Sequence, residues 1–282
     1  MQTRRNFLAT LGVAAIGMAN ADALGASDIL APKRKIKKVG LQLYTVRDLM
    51  KADLPGTLAK VAQIGYKEVE FAGYFGRTPA QIRALLRRNG LTSPSTHLGY
   101  DLLSKDWQKQ VADAKAVGHH WTTIAWMPED QRKPDDWKRH ADEFNKAGAV
   151  AKAAGLRFAY HNHDFEIRPV NGQRPLDIML DNTDPSLVDF EMDLYWVVFG
   201  GGDPVDFFNR HPHRFPLVHV KDSSPPPDRH YVDVGSGTID FRSIFAQSDK
   251  AGIKHYFVEH DEPKDPIATI RNSYNYLHKL TF

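Results

Sequence analysis

Residues 156–166 read Leu156-Arg-Phe-Ala-Tyr-His-Asn-His-Asp-Phe-Glu166. The stretch follows Gly155, which reads as the stop of a long helix. Its aromatic and small residues then break into His161, Asn162, His163, Asp164 and Glu166. This is the pattern of a buried strand ending in ligand-type side chains. Side chains alternate faces along a strand, so His161 and His163 are expected on one side and Asn162 on the other. Two imidazoles converging at a strand end can hold a metal ion or move protons. A hydrogen-bonded pair at a loop mouth would carry the same letters.

Working outward, the rest of the chain repeats this strand-and-helix unit. Strands are predicted at Val39–Tyr44, Lys67–Phe71, Thr92–His97 and Trp121–Ala125 before the histidine stretch, and at Leu187–Met192, Phe215–Val220 and Tyr256–Glu259 after it. Helices fall between them: Leu54–Ile64, Thr78–Asn89, Asp106–Val117, Pro134–Ala154, Pro175–Leu180, one from Pro204, Asp240–Lys250 and Pro266–Leu280. Gly65, Gly90, Gly118, Gly155 and Gly252 follow helix ends, and Pro79 opens a helix after the N-cap candidate Thr78. Eight alternations, one roughly every 30 residues, are what a (β/α)8 TIM barrel requires, a single α/β domain over residues 39–282. The competing doubly wound sheet would carry a glycine-rich turn after its first strand, and Tyr44-Thr-Val-Arg-Asp48 has no glycine.

The N-terminal residues are not fold. Arg4-Arg5 precedes an apolar run from Leu8 to Ala19, and small residues follow at Ala21-Asp-Ala23 and Leu24-Gly-Ala26. Residues 1–26 resemble a twin-arginine export signal, which implies a periplasmic, folded-before-export protein. Residues 27–38, with the run Lys33-Arg-Lys-Ile-Lys-Lys38, read as a basic linker leading into the first strand. No later segment is apolar enough to span a membrane. The chain has no cysteine, which excludes disulfides and thiolate metal sites. A net charge of +3 with no basic stripe argues against nucleic acid as a partner.

Chemistry in such barrels sits at the C-terminal ends of the strands. Around that face come Gln42 and Tyr44, Glu70, His97, His161 and His163, Glu191 and Asp193, His219 and Lys221, and Glu259 and Asp261. So many ionisable groups at one end are costly to bury unless they pair, bind an ion or face water. A histidine or carboxylate at the end of each of the last four strands points to a metal site.

On these residues the chain resembles the xylose-isomerase-like barrels of the sugar phosphate isomerase/epimerase type, a group that includes ketose 3-epimerases, inosose dehydratases and AP-endonuclease-type members. The resemblance is carried by Gly40-Leu-Gln-Leu-Tyr-Thr45, Tyr160-His-Asn-His-Asp-Phe-Glu166, Asp193-Leu-Tyr-Trp196, His219-Val-Lys-Asp222, Asp233-Val-Gly-Ser-Gly-Thr-Ile-Asp240 and Val258-Glu-His-Asp261. It implies one divalent ion held by His161, Asp193, His219 and Glu259, with Mn²⁺ or Zn²⁺ first and Fe²⁺, Co²⁺ or Mg²⁺ also compatible. The epimerases place a glutamate at the first of these positions and use two opposed glutamates as bases. His161 breaks that symmetry. Asp228-Arg-His230 is similar to a zinc motif of the AP-endonuclease-type members but sits in a proline-rich loop, where it reads as loop.

The expected reaction is removal of a proton next to a carbonyl on a non-phosphorylated keto-sugar or keto-glycoside, giving isomerisation, epimerisation or, with the lost glutamate, β-elimination. Glu259 or Glu166 would be the base, His163 or His97 would return a proton, and Lys221 would face the developing oxyanion. Gln42, Tyr44, Glu70, His97 and Trp196 are the candidate substrate contacts. The expected partner is a small sugar, with a homo-oligomer allowed. A metal-dependent phosphodiesterase and a non-catalytic periplasmic sugar-binding barrel are the alternatives from other classes.

Overall fold

Eight parallel strands close on themselves in the computed structural model, which describes residues 34–282. In chain order the strands are β1 (Val39–Gln42), β2 (Glu68–Phe71), β3 (Thr92–Leu98), β4 (Trp121–Ile124), β5 (Arg157–His161), β6 (Val188–Asp193), β7 (Leu217–Val220), β8 (Asp222–Ser223), β9 (Tyr231–Val232) and β10 (His255–Val258). β8 and β9 form a separate antiparallel hairpin, and the other eight are the staves of the barrel, β1 pairing with both β2 and β10. The expected (β/α)8 barrel is the observed one. The export signal read at residues 1–26 lies outside the described residues, as does most of the linker. Within residues 34–282 no helix is long and apolar enough to cross a membrane.

Alternation along each stave separates two cores. Outward-facing Phe158 and Tyr160 of β5 pack on Phe144 of the helix Asp136–Ala153, with ring centroids 5.1 and 5.0 Å away. Inward-facing Trp121, Ala159, Leu217 and Phe257 fill the middle of the barrel. Gly40 has the close approach that closure needs, since a Cβ there would meet the Phe257 ring at 2.6 Å. In β3 the register against β2 slips by one residue between Glu68 and Glu70, next to Pro94, which cannot donate to the ladder.

Helix ends follow the sequence cues. Thr78 and Gln81 form a reciprocal capping box on the helix Pro79–Arg88, and Asp265 caps the helix Pro266–Lys279. Three local departures shape the mouth of the barrel. β1 ends at Gln42, whose side-chain oxygen accepts the Tyr44 N–H at 3.0 Å and starts a tight 3₁₀ turn over Leu43–Val46. The first long helix begins at Arg47 rather than Leu54, kinked at Asp53 ahead of Pro55. A short helix, Leu194–Phe199, follows β6 directly, its N-terminus capped by Asp193 Oδ1 accepting the Trp196 N–H at 3.0 Å.

Candidate metal centre and its cavity

The register of the staves sets the donors side by side. His161 is level with Glu191, Asp193 with His219, and Gln42 with Glu70. One donor atom from each of His161, Asp193, His219 and Glu259 lies within 4.8 Å of the other three, and all four side chains are buried. A second set shares its histidines: His97, His161, Glu191 and His219 also converge within 4.8 Å. His219 links the two sets, with Nδ1 2.9 Å from Glu259 Oε2 and Nε2 3.3 Å from Glu191 Oε2. Among the described residues these are the groups of histidines and carboxylates that could hold an ion, and neither includes Asp228 or His230.

The donor chemistry fits a divalent cation. Glu70, Glu191, Asp193, Glu259 and Asp261 crowd one end of the barrel, and Lys221 is the permanent cation among them. Its ammonium lies 2.7 Å from Glu259, 3.0 Å from Asp193 and 3.0 Å from Asp261. Glu191 Oε1 is buried with no hydrogen bond, and Asp193 Oδ2 has the Lys221 ammonium, at 3.0 Å, as its ion-pair partner. Buried carboxylate oxygens without a donor are costly, and a mixed imidazole and carboxylate set suits a borderline divalent metal. His161, Asp193, His219 and Glu259 are the residues that would hold it.

Charge orders this cluster. Burial works to raise Glu70, but the His97 and His219 rings beside it outweigh that and bring its pKa down to about 2. Burial, with the neighbouring Glu70 charge, pushes Glu191 up to about 7. Burial also works to raise Glu259, yet Lys221 and His219 hold it well below the usual carboxylate range. Burial and the surrounding cationic groups keep His161 and His163 well below the ordinary imidazole value, so both are neutral at pH 7.

Above the donors opens a cavity of about 620 Å³. His97, His161, Lys221 and Glu259 reach it from below, and Tyr44, Trp126, Trp196 and Tyr231 are among its walls. His163 also lines it, wedged between Trp126 (ring centroids 4.5 Å apart) and Phe165, whose ring is stacked 5.7 Å away.

Not every residue expected at the site reaches this cavity. Gln42 and Glu70 are fully buried below it: Gln42 donates to Glu70 Oε2 at 2.7 Å, and His219 Nε2 meets the same oxygen at 2.7 Å. They brace His219 and do not line the cavity. Glu166 is buried away from it. One of its carboxylate oxygens takes a short hydrogen bond from Tyr160 Oη, and the other accepts the His163 N–H at 2.8 Å. It pins the turn that carries His163. β5 stops at His161, so His163 shares the cavity because of that turn and not because of strand alternation. Asn162 points elsewhere, as expected, its oxygen accepting the Asp193 N–H at 3.1 Å.

Trp126 and Tyr231 were not picked out by the sequence reading. The available signal for Trp126 was a lone tryptophan immediately after a strand end, and it is 48 % exposed. Tyr231 belongs to the unforeseen hairpin. The glycine loop 233–240 has another duty. Amides of Gly235 and Gly237 donate to Asp222 Oδ2 at 2.9 and 3.0 Å, and a Cβ on Gly237 would collide with Asp222 Oδ1 at 2.3 Å. The chain's own carboxylate fills that amide nest, which therefore offers no cradle to a phosphate.

Known proteins share the sequence and the fold in part. The chain is 26 % identical over 247 residues to an inosose dehydratase of Geobacillus kaustophilus, covering 69 % of this chain and 78 % of that one. A crystal structure of a sugar phosphate isomerase/epimerase from Parabacteroides distasonis superposes with a TM-score of 0.76 at 31 % identity, covering 87 % of this chain and 99 % of that one. A structure of the IOLI protein with a bound zinc atom shares the fold at 13 % identity, with a TM-score of 0.69 and coverage of 84 % and 95 %. Residues 58–280 match the xylose isomerase-like TIM barrel family, and the chain belongs to that family.

Proposed function

We propose that the protein is a divalent-metal-dependent enzyme that removes the proton next to the carbonyl of a non-phosphorylated keto-sugar or keto-glycoside. The observation that carries this reading is the convergence of His161, Asp193, His219 and Glu259 within 4.8 Å under an aromatic-walled cavity. The inosose dehydratase and isomerase/epimerase names of the relatives support sugar chemistry, and the zinc of the IOLI structure supports a divalent ion in this fold. When bound, such an ion polarises a carbonyl and stabilises the negative charge left by proton loss.

The side chains supply the rest. Glu259 is ionised and lines the cavity, so it is the base assigned to the C–H proton. Lys221 presents a fixed positive charge to an oxygen that becomes an oxyanion. Against the effect of burial, the Glu70 and Glu191 carboxylates raise the pKa of His97. That makes it the cavity imidazole suited to pass a proton to a leaving hydroxyl or back to carbon, while neutral His163 in the aromatic wall can take one up. With a carboxylate on one side and imidazoles on the other, the acid and the base differ in kind. That asymmetry favours elimination over two-base epimerisation. Carboxylates at the cavity mouth, Asp261 and Glu262, disfavour a phosphate on the substrate.

The test is incubation of the metal-loaded protein with fructose, inosose and the keto-disaccharides turanose, isomaltulose and lactulose in D₂O, followed by NMR. Deuterium entering at the carbon beside the carbonyl, or loss of that carbon's proton together with the hydroxyl of the next carbon, supports the assignment. A fully metal-loaded protein that exchanges no such proton on any of them contradicts it. Export through the twin-arginine route is part of the same proposal, and a reporter fused behind residues 1–26 that stays in the cytoplasm would count against it.

A further inference from the structure

A second cavity, of about 480 Å³, adjoins the one over the metal donors, and Trp196, Tyr231 and Glu262 line both. The short helix Leu194–Phe199 and the hairpin of β8 and β9 with its loop build most of it, and Asp164, His260 and Glu262 complete the lining. We infer that it is a second sugar-ring subsite, so that the substrate is a glycoside. On that arrangement its keto-ring lies over Glu259 and Lys221, and its second ring rests among Tyr195, Phe199, Asp228 and His230. The inference rests on the proposed sugar reaction and adds to it the substrate class.

Three observations carry it. First, the lining mixes flat apolar faces with hydroxyl-binding groups, which is the chemistry of a sugar ring: C–H bonds against an aromatic face, hydroxyls toward carboxylates and imidazoles. Tyr195, Trp196, Phe199 and Tyr231 form one packed group, Tyr195 lying 5.5 Å from Phe199 and 4.7 Å from Tyr231. Asp228, His230 and Glu262 stand beside them.

Second, the platform is fixed before any ligand arrives. Tyr195 Oη donates to the Arg229 carbonyl at 2.7 Å, and the Arg229 guanidinium donates to the Val198 carbonyl at 3.0 Å, which ties loop to helix. The His230 N–H is held by Ser224 Oγ at 2.8 Å. Preorganised walls spare a ligand the cost of ordering them. Third, Trp196 stands in the wall that the two cavities share, and its buried indole N–H has no partner, so the polar edge of this wall is not committed elsewhere in the fold. The Arg229 charge is committed to the backbone and carboxylates predominate, so an anionic second group fits less well than a neutral sugar.

The test compares binding to the metal-loaded protein, by calorimetry, of fructose and of the keto-disaccharides turanose, isomaltulose and lactulose. At least one disaccharide is expected to bind about ten-fold or more tightly than fructose. The double variant Asp228→Ala/His230→Ala changes two exposed loop side chains and should erase that advantage while leaving fructose affinity and fructose deuterium exchange unchanged. Disaccharides that bind no better than fructose, or a variant that weakens both classes alike, overturn the subsite. If the disaccharide advantage appears but no deuterium exchange occurs with any sugar, the subsite stands and the assigned reaction fails.

Discussion

The Lys221 ammonium sits 2.7 Å from Glu259 Oε2, inside the group of side chains assigned to a divalent ion. An ion held there would therefore share one set of carboxylates with the lysine, and each would limit how much negative charge the other leaves exposed. Lys221→Met removes the permanent cation from a fully buried site. Without metal, Asp193 and Glu259 then repel, and the expected loss of stability is roughly 3–5 kcal/mol. Saturating Mn²⁺ should restore most of it. Thermal unfolding of both proteins with and without metal checks this; an equal deficit under both conditions would show that lysine and ion do not share the carboxylates.

Glu70 touches no part of the cavity, yet it fixes His219 through Nε2 at 2.7 Å and is itself held by Gln42. Partners behind a metal-binding histidine set its orientation and basicity. Glu70→Gln should therefore weaken metal affinity by roughly 10- to 100-fold without altering the fold. Metal titration against a chelator reads the change, and unaltered affinity would place the ion away from His219.

The two carboxylates considered as bases separate cleanly in position. Glu259→Gln should lower proton exchange by roughly 10²- to 10⁴-fold. Glu166→Gln keeps the size of a buried group that burial already pushes up to about 7, and should leave exchange within a few-fold of wild type. Deuterium exchange rates for the two variants decide between them.

His119, away from the site, makes stability depend on acid. It is buried, bonded to Tyr74 Oη at 2.9 Å and the Ser93 carbonyl at 2.8 Å, and burial holds its pKa down at about 4 against 6.5 when free. As pH falls the unfolded chain takes up this proton first. The contribution is complete above about pH 6.5 and drains away as pH drops toward 4, by roughly 3 kcal/mol in all. His119→Gln should be less stable at pH 7.5 but show a flatter slope between pH 6.5 and 4 in urea unfolding. An unchanged slope would remove His119 from the acid response.

The barrel was legible because its signals are local and repeated: apolar strands, glycine stops and proline or capping starts. The four converging side chains were legible for the same reason, each being a histidine or carboxylate at a strand end. Depth was not. Alternation tells which side of a stave a residue faces but not how far below the rim it lies, so Gln42 and Glu70 were read as substrate contacts when they sit beneath the donors. Glu166 was misplaced because a hydrogen-bonded turn, invisible to periodicity, carries it away from the barrel interior. The helix Leu194–Phe199 hid in an all-apolar run that reads equally as strand. The two-residue strands of the hairpin are too short to leave a pattern.

The most direct test of the account is the metal content of the purified protein, measured by elemental analysis beside that of the His161→Ala/His219→Ala variant. The account predicts one divalent ion per wild-type chain, none in the variant, and proton exchange that rises and falls with the ion. A wild-type protein that exchanges protons at full rate after exhaustive chelation, or a variant that keeps its ion, would contradict it.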